Sequence, residues 1–311
     1  MPGLPHCSRA PIFRTLGTCK RRRQLTCTCD KTSKQDDQDL ERIETPLQPF
    51  LRWAGGKRWF VPKWQKLTTR ASYQRYVEPF LGGGSIFFAT RPRISLIADS
   101  NERLIETYIV LRDHPSELLE LLKRHEASHG SDYFYKVRNS SYLHPLERAA
   151  QFIYLNRTCW NGLYRVNKKG KFNVPIGTDC KRVIHPYDDF HALAKILYGA
   201  DIQCQDFEKT IDATGPGDLL FVDPPYTVKH NFNGFVKYNE EIFCWEDQER
   251  LCEALKRAKQ REARITLMNA NHDSIRELYR GSFLMTPVTR ASRIAGDPKA
   301  RGKYNELLIQ G

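Results

Sequence analysis

Two kinds of apolar pattern alternate along most of the chain. Short runs at Tyr76 to Phe80, Ile94 to Ala98, Ile202 to Cys204, Leu219 to Val222 and Ile265 to Met268 read as strands, and residues 283–290 and 304–310 as two more. Helical spacing lies between them. Leu104, Ile105, Tyr108 and Leu111 share one helix face, Leu118, Leu119, Leu121 and Leu122 follow, and Ala149, Ala150, Phe152, Ile153 and Leu155 mark another helix. Glu246 to Gln260 and Ser274 to Tyr279 complete the set. Strands alternating with helices predict an α/β fold built on a Rossmann-like sheet. The helical stretch 105–200 breaks the alternation and is long enough to be a subdomain inserted into a domain made of 47–104 and 201–311. No internal repeat is visible.

Residues 1–46 show neither pattern. They carry the basic run Lys20-Arg21-Arg22-Arg23, the acidic Asp36-Asp37-Gln38-Asp39, and Cys7, Cys19, Cys27 and Cys29. This composition predicts a disordered tail, with an extra DNA-binding arm or an upstream start codon as alternatives. The cysteine spacing lacks paired C-x₂₋₄-C knuckles, so a zinc site is disfavoured and no metal is expected. The cysteines of the body read as reduced thiols, which fits a cytoplasmic protein. A net charge of +13 over 311 residues points to a polyanionic partner. No apolar run approaches the ~20 residues of a membrane span.

The strongest chemical signal is Asp223-Pro224-Pro225-Tyr226, placed after the apolar strand that ends at Val222. The prolines stop the strand and stiffen the turn. An acid, a rigid turn and an aromatic ring then sit at the carboxyl end of a strand, where open α/β sheets bind ligands. The arrangement suits methylation of an exocyclic amine. The amino nitrogen of adenine is a poor nucleophile, and a carboxylate and a proline carbonyl can accept its hydrogens and enrich it in electrons. Tyr226 can stack on a flipped-out base. On its own the motif fits a surface turn equally well.

The rest of the chain supplies context. Leu81-Gly82-Gly83-Gly84 follows a strand and precedes a helix opening at Ser85, a small-molecule cradle that is not a dinucleotide fingerprint because its glycines are consecutive. Asp99 ends the second strand, placed for ribose hydroxyls. Asp206-Phe207 follows the third, where an acid and a ring can cradle an adenine. Trp53 and Lys57 flank Gly55-Gly56 as a stacking surface and a cation. Asn156 to Pro175 interleaves basic, amide and aromatic residues around glycines. There Arg165 suits a guanine edge, Lys168, Lys169 and Lys171 suit phosphates, and Trp160 or Tyr164 can wedge into a stack. Thr227 to Cys244 reads as a loop closing over substrate, and Arg290 to Lys303 as a basic loop for phosphates.

Five stretches in order resemble the Dam-type (D12 class, alpha group) adenine-specific DNA methyltransferases. They are Phe50 to Lys57, Glu78 to Gly84, Ala98 to Asn101, Trp160 to Arg165 and Asp223 to Tyr226. The resemblance covers Phe50 onward and implies a class I methyltransferase sheet, mostly parallel with an antiparallel last strand. It implies S-adenosylmethionine as methyl donor, held by Trp53, Lys57, Glu78, Pro79, Asp99 and Asp223, with Gly82, Gly83 and Gly84 around its methionine part. Asp223, Pro224, Pro225 and Tyr226 would hold the target adenine, whose nitrogen attacks the sulfonium methyl in line without a metal. The helical insert would recognise double-stranded DNA, most often at GATC, through Arg52, Trp160, Asn161, Leu163, Arg165 and the three lysines. Arg52 stands where family members often have Lys, and Ser100 where Ile is usual. A monomer or weak dimer is expected, acting alone or beside a restriction endonuclease. The competing readings are an amine methyltransferase acting on RNA or protein, a non-catalytic DNA-binding protein on the same scaffold, and a nucleotide-dependent oxidoreductase.

Overall fold

The computed structural model describes residues 47–69, 72–167, 169–178, 182–229, 243–291 and 303–311. The N-terminal stretch with its four cysteines, Lys168, most of the expected closing loop and most of the basic loop between the last strands lie outside the described residues.

Seven strands form one sheet: β1 (Arg75–Glu78), β2 (Ser95–Asp99), β3 (Ala200–Cys204), β4 (Asp218–Val222), β5 (Arg264–Ala270), β6 (Leu284–Ala291) and β7 (Lys303–Gln310). Their order is β3-β2-β1-β4-β5-β7-β6. The first five run parallel, and β7 lies antiparallel to both neighbours. Strand β4 is buried along its whole length. Its period of two sends Leu219 and Phe221 to one face, where they meet Phe60, Trp64 and Met268, and Leu220 and Val222 to the other, with Leu251, Leu255, Ile265 and Leu267. A strand covered on both faces has no polar side to show, which is why it reads as an unbroken apolar run.

Helices α1 (Val61–Thr68), α2 (Ser85–Thr90), α8 (Phe207–Asp212), α9 (Trp245–Gln260) and α10 (Asp273–Tyr279) flank the sheet. Between β2 and β3 run α3 (Glu102–Asp113), α4 (Pro115–Ala127), α5 (Ser131–Asn139), α6 (Pro145–Thr158) and α7 (Phe190–Leu197). Helix α6 is the centre of this group. Every residue from Ala149 to Thr158 is buried, and α3, α4 and α5 pack on it. Tyr108, Phe134, Tyr154 and Phe190 of these helices belong to one apolar core that includes Phe88 of α2 and reaches the sheet face at Phe221. Helix α1 is the element least visible in the pattern, because Trp64 is the one fully buried residue in it.

Candidate active site

Strand β4 delivers Asp223 to the carboxyl edge of the sheet, and Lys57 meets it there from the Gly55-Gly56 turn. Lys57 is almost fully buried. Its Nζ lies 2.8 Å from Asp223 Oδ1 and 3.8 Å from Glu306 Oε2, and donates to the Gly55 carbonyl at 2.7 Å. It also stands 4.9 Å from the centre of the Tyr226 ring. The Tyr226 hydroxyl donates to Glu306 Oε2 at 2.7 Å. Burying an ammonium is costly unless it has partners of this kind. Behind the two prolines, two fully buried amides support the turn. Gln248 Nε2 reaches the carbonyls of Thr227 at 3.4 Å and Pro225 at 3.5 Å, and Asn269 Nδ2 donates to Gln248 Oε1 at 3.0 Å.

The glycine loop joins the same edge between β1 and α2. Asp99, at the end of β2, accepts the N–H groups of Gly82 and Asn101, each at 3.0 Å. Burial raises its pKa, opposed by these N–H groups. Gly82 has φ +47°, and a Cβ there would stand 2.7 Å from Trp53 Cδ1, so the indole packs directly against the loop and only glycine fits. Glu78 is buried beneath, where its carboxylate accepts the Tyr76 hydroxyl at 2.6 Å. Pro79 continues the chain from it into the loop.

Burial pushes the Glu78 pKa well above its ordinary 4.5, and the charges of Asp223 and Asp99 add to the effect, while the Tyr76 hydroxyl and the Phe87 N–H oppose it. A carboxyl with a raised folded pKa binds more protons in the native state than in the unfolded one. Its contribution is therefore full below the unfolded value and is lost as pH rises through the folded one. Glu78→Gln is expected to flatten the loss of stability above pH 4.5. Urea midpoints at acid and neutral pH check this; an unchanged pH slope would remove Glu78 as its source.

Asp206 and Phe207 lie at the end of β3 but form a helix start. Asp206 caps α8 by accepting from the Glu208 N–H at 2.9 Å, and Arg250 donates to it at 2.9 Å. The Phe207 ring is buried. It stacks on Phe80 at 5.2 Å, touches Phe243, and carries the Arg250 guanidinium 4.8 Å from its centre.

On the opposite side the helical insert grips the first motif. Asn156, fully buried on α6, accepts the Arg52 N–H at 2.8 Å and donates to the Arg52 carbonyl at 2.7 Å and the Gly162 carbonyl at 3.1 Å. Gly162 has φ +63°, and a Cβ there would lie 2.5 Å from Arg52 Cβ. The adjoining Arg157 is buried too. It pairs with Asp188 and donates to the carbonyls of Phe50 and Val183, so it is a scaffold group.

The recognition residues divide by exposure. Trp160 and Asn161 project from a short turn, with Asn161 at φ 56°. Leu163 is half-buried. From Arg165 to Asn173 the chain makes an antiparallel hairpin, with Val166 facing Phe172. Arg165 Nε donates to Asn173 Oδ1 at 2.9 Å across its base, and Lys169 and Lys171 are exposed on it. Tyr164, read from the sequence as able to wedge into a stack, is half-buried, with its ring stacked on Trp53 at 5.8 Å and tilted against Phe152 at 4.7 Å.

The structure thus gathers Lys57, Asp223 and Tyr226 in direct contact, and Trp53, the glycine loop and Asp99 beside one another. Arg52 is tied to the Gly162 turn. Asp206 and Phe207 lie at the end of β3, in contact with Arg250, Phe80 and Phe243. Glu306, Asn156 and Gln248 carry much of the site's geometry and were not singled out from the sequence. Only Asn156 had a signal there, as the first residue of the amide-rich stretch.

Known proteins resemble this chain over most of its length. The model of the D12 class N6 adenine-specific DNA methyltransferase family matches residues 53–292. The chain is 32% identical over 278 residues to the Type II methyltransferase M1.LlaDCHI of Lactococcus lactis subsp. cremoris, covering 87% of this chain and 97% of that protein. It is 34% identical over 285 residues to the Type II methyltransferase M.MjaIII of Methanocaldococcus jannaschii, covering 85% and 98%. To the DNA adenine methylase of Haemophilus influenzae it is 31% identical over 269 residues, covering 84% and 92%. Likeness at this level over nearly the whole length of each relative, together with a family match that spans the glycine loop, the helical insert and the Asp223 turn, shows that the chain belongs to the D12 class of adenine-specific DNA methyltransferases.

Proposed function

We propose that this enzyme methylates the N6 amine of a flipped-out adenine in a short sequence of duplex DNA, with GATC as the expected site. The observation that carries the reading is the contact of Lys57, Asp223 and Tyr226 at the end of the buried strand β4. The names of the relatives divide between Type II methyltransferases and DNA adenine methylases, so the recognition sequence is the finer part of the proposal.

Methyltransferases of this family use S-adenosylmethionine, which supplies an electrophilic methyl group when bound. The donor set here fits that molecule. Lys57 offers a cation for a carboxylate, Asp99 keeps acceptor capacity for hydroxyls beyond its two backbone N–H partners, and the Cβ-free Gly82 to Gly84 loop admits close approach beside Trp53. For the adenine, Asp223 and the Pro224 carbonyl accept the amino hydrogens, so the nitrogen gains electron density where it must attack. Asp223 then lies beside the positive charge that develops on that nitrogen. Tyr226 offers a ring face to the base. Catalysis of this kind is positioning and electrostatics.

Sequence choice is assigned to the hairpin. The Arg165 guanidinium, steadied by Asn173, can give a guanine edge two parallel hydrogen bonds. Arg165→Ala is expected to cost ~1–3 kcal/mol at one base pair and to raise methylation of single-base variants relative to GATC. Lys169→Ala is expected to lower both together and flatten the salt dependence. Methylation of GATC and its variants at two salt concentrations separates the outcomes, and an unchanged ratio in Arg165→Ala would make that arginine structural. The reading as a whole is tested by mapping methylated bases in DNA from cells expressing the chain. N6-methyladenine at one short sequence is expected. Its absence there, with methylation found on RNA or protein, would overturn it.

A further inference from the structure

We propose that Glu306 is a positioning residue for methyl transfer, one that fixes the Tyr226 ring through its hydroxyl. The proposal rests on the reading of Tyr226 as the ring that faces the target base. Three observations support it. Glu306 sits on β7, an interior strand, in register with Ala270 of β5 on one side and Val288 of β6 on the other, so its backbone is held from both sides. The residue is only 6% exposed, and burying a carboxylate is costly without a partner. And Tyr226 Oη is bonded to it at 2.7 Å.

The geometry around Tyr226 explains why such an anchor matters. The two prolines stiffen the backbone leading to it, which leaves the side-chain torsions as the main freedom of the ring. A hydrogen bond at the far end of the ring removes that freedom. Lys57 adds a second link, since its Nζ lies 3.8 Å from the same Glu306 oxygen and 4.9 Å from the ring centre. Lys57 thus stands beside two carboxylates, with Asp223 at 2.8 Å and Glu306 at 3.8 Å.

The test uses single-turnover methylation of adenine-containing duplex DNA by the full chain and, on a separate duplex with 2-aminopurine in place of the target adenine, fluorescence as a report of the flipped base. Formation of N6-methyladenine by the wild-type enzyme comes first. Its absence overturns the functional reading and this proposal with it, whereas every later failure counts against this proposal alone. Tyr226→Phe and Glu306→Ala are each expected to lower the rate about tenfold, with KM for DNA unchanged and the fluorescence of the flipped base altered alike in both. The double variant should fall no more than about twofold below either single one, because both changes break the same bond. Glu306→Gln keeps an acceptor oxygen and should stay within about threefold of wild type. Losses that multiply in the double variant, or wild-type turnover by Tyr226→Phe, would overturn the proposal. If Glu306→Ala does not fold, Tyr226→Phe and Glu306→Gln carry the same decision between them.

Discussion

Asp223→Ala is expected to lower the rate of DNA methylation by at least about 10²-fold while the protein stays folded. Asp223 stands one residue beyond β4, with its side chain 18% exposed, so its removal opens no hole in the apolar core. Lys57 keeps the Gly55 carbonyl at 2.7 Å and the Glu306 carboxylate at 3.8 Å, which limits the cost of losing its nearest counter-charge. What disappears is the acceptor proposed for the amine as its nitrogen becomes positive. The measurement is a single-turnover rate beside a thermal melt. A variant that melts cooperatively and turns over near the wild-type rate would sink the assignment of Asp223.

Asn156→Ala is expected to act on stability and on the site together. Its side chain makes three bonds, two to the backbone of Arg52 and one to the carbonyl of Gly162. Alanine would leave those groups without it in a packed setting, at a cost of roughly 2–4 kcal/mol. For a protein of this size that corresponds to a fall in Tm of roughly 3–6 °C. The Trp53 indole and the Asn161 turn are both tethered through this clamp, so weaker DNA binding should accompany the lower melting point. A variant that melts at the wild-type temperature would show that Arg52 and Gly162 are held by other contacts.

How much of this was legible in the sequence depends on the distance over which each signal acts. The strands could be anticipated because buried parallel strands read as apolar runs, and Leu219 to Val222 is one of them. Asp223, the glycine loop and Asp99 were legible because each directly follows its strand, so position along the chain already gives position at the sheet edge. Glu306 was not. It meets Tyr226 across 80 residues, and a lone acid in the last strand looks like an exposed polar position until the sheet order buries it. Asn156 meets Arg52 across 104 residues for the same reason. Tyr164 was open to two readings because an aromatic beside glycines and arginines serves equally as a surface wedge or as cover for another ring. Its partner Trp53 lies in a different motif, and local pattern carries no information about that pairing.

The place of β7 between β5 and β6 has a consequence for how the enzyme is made. During translation β6 leaves the ribosome before β7, yet β7 is the strand it pairs with and the one that connects it to β5. A nascent chain that has reached residue 292 already contains everything the family model matches, from the Trp53 turn through Asp223. It still has an open, apolar β5 edge, a β6 segment with nowhere to dock, and no Glu306. An unpaired edge of this kind is a template for aggregation, which a chaperone or rapid completion of the chain must cover. Closure of the sheet and completion of the charged cluster then occur in one late step, so unfinished polypeptides carry the recognisable motifs without the finished site.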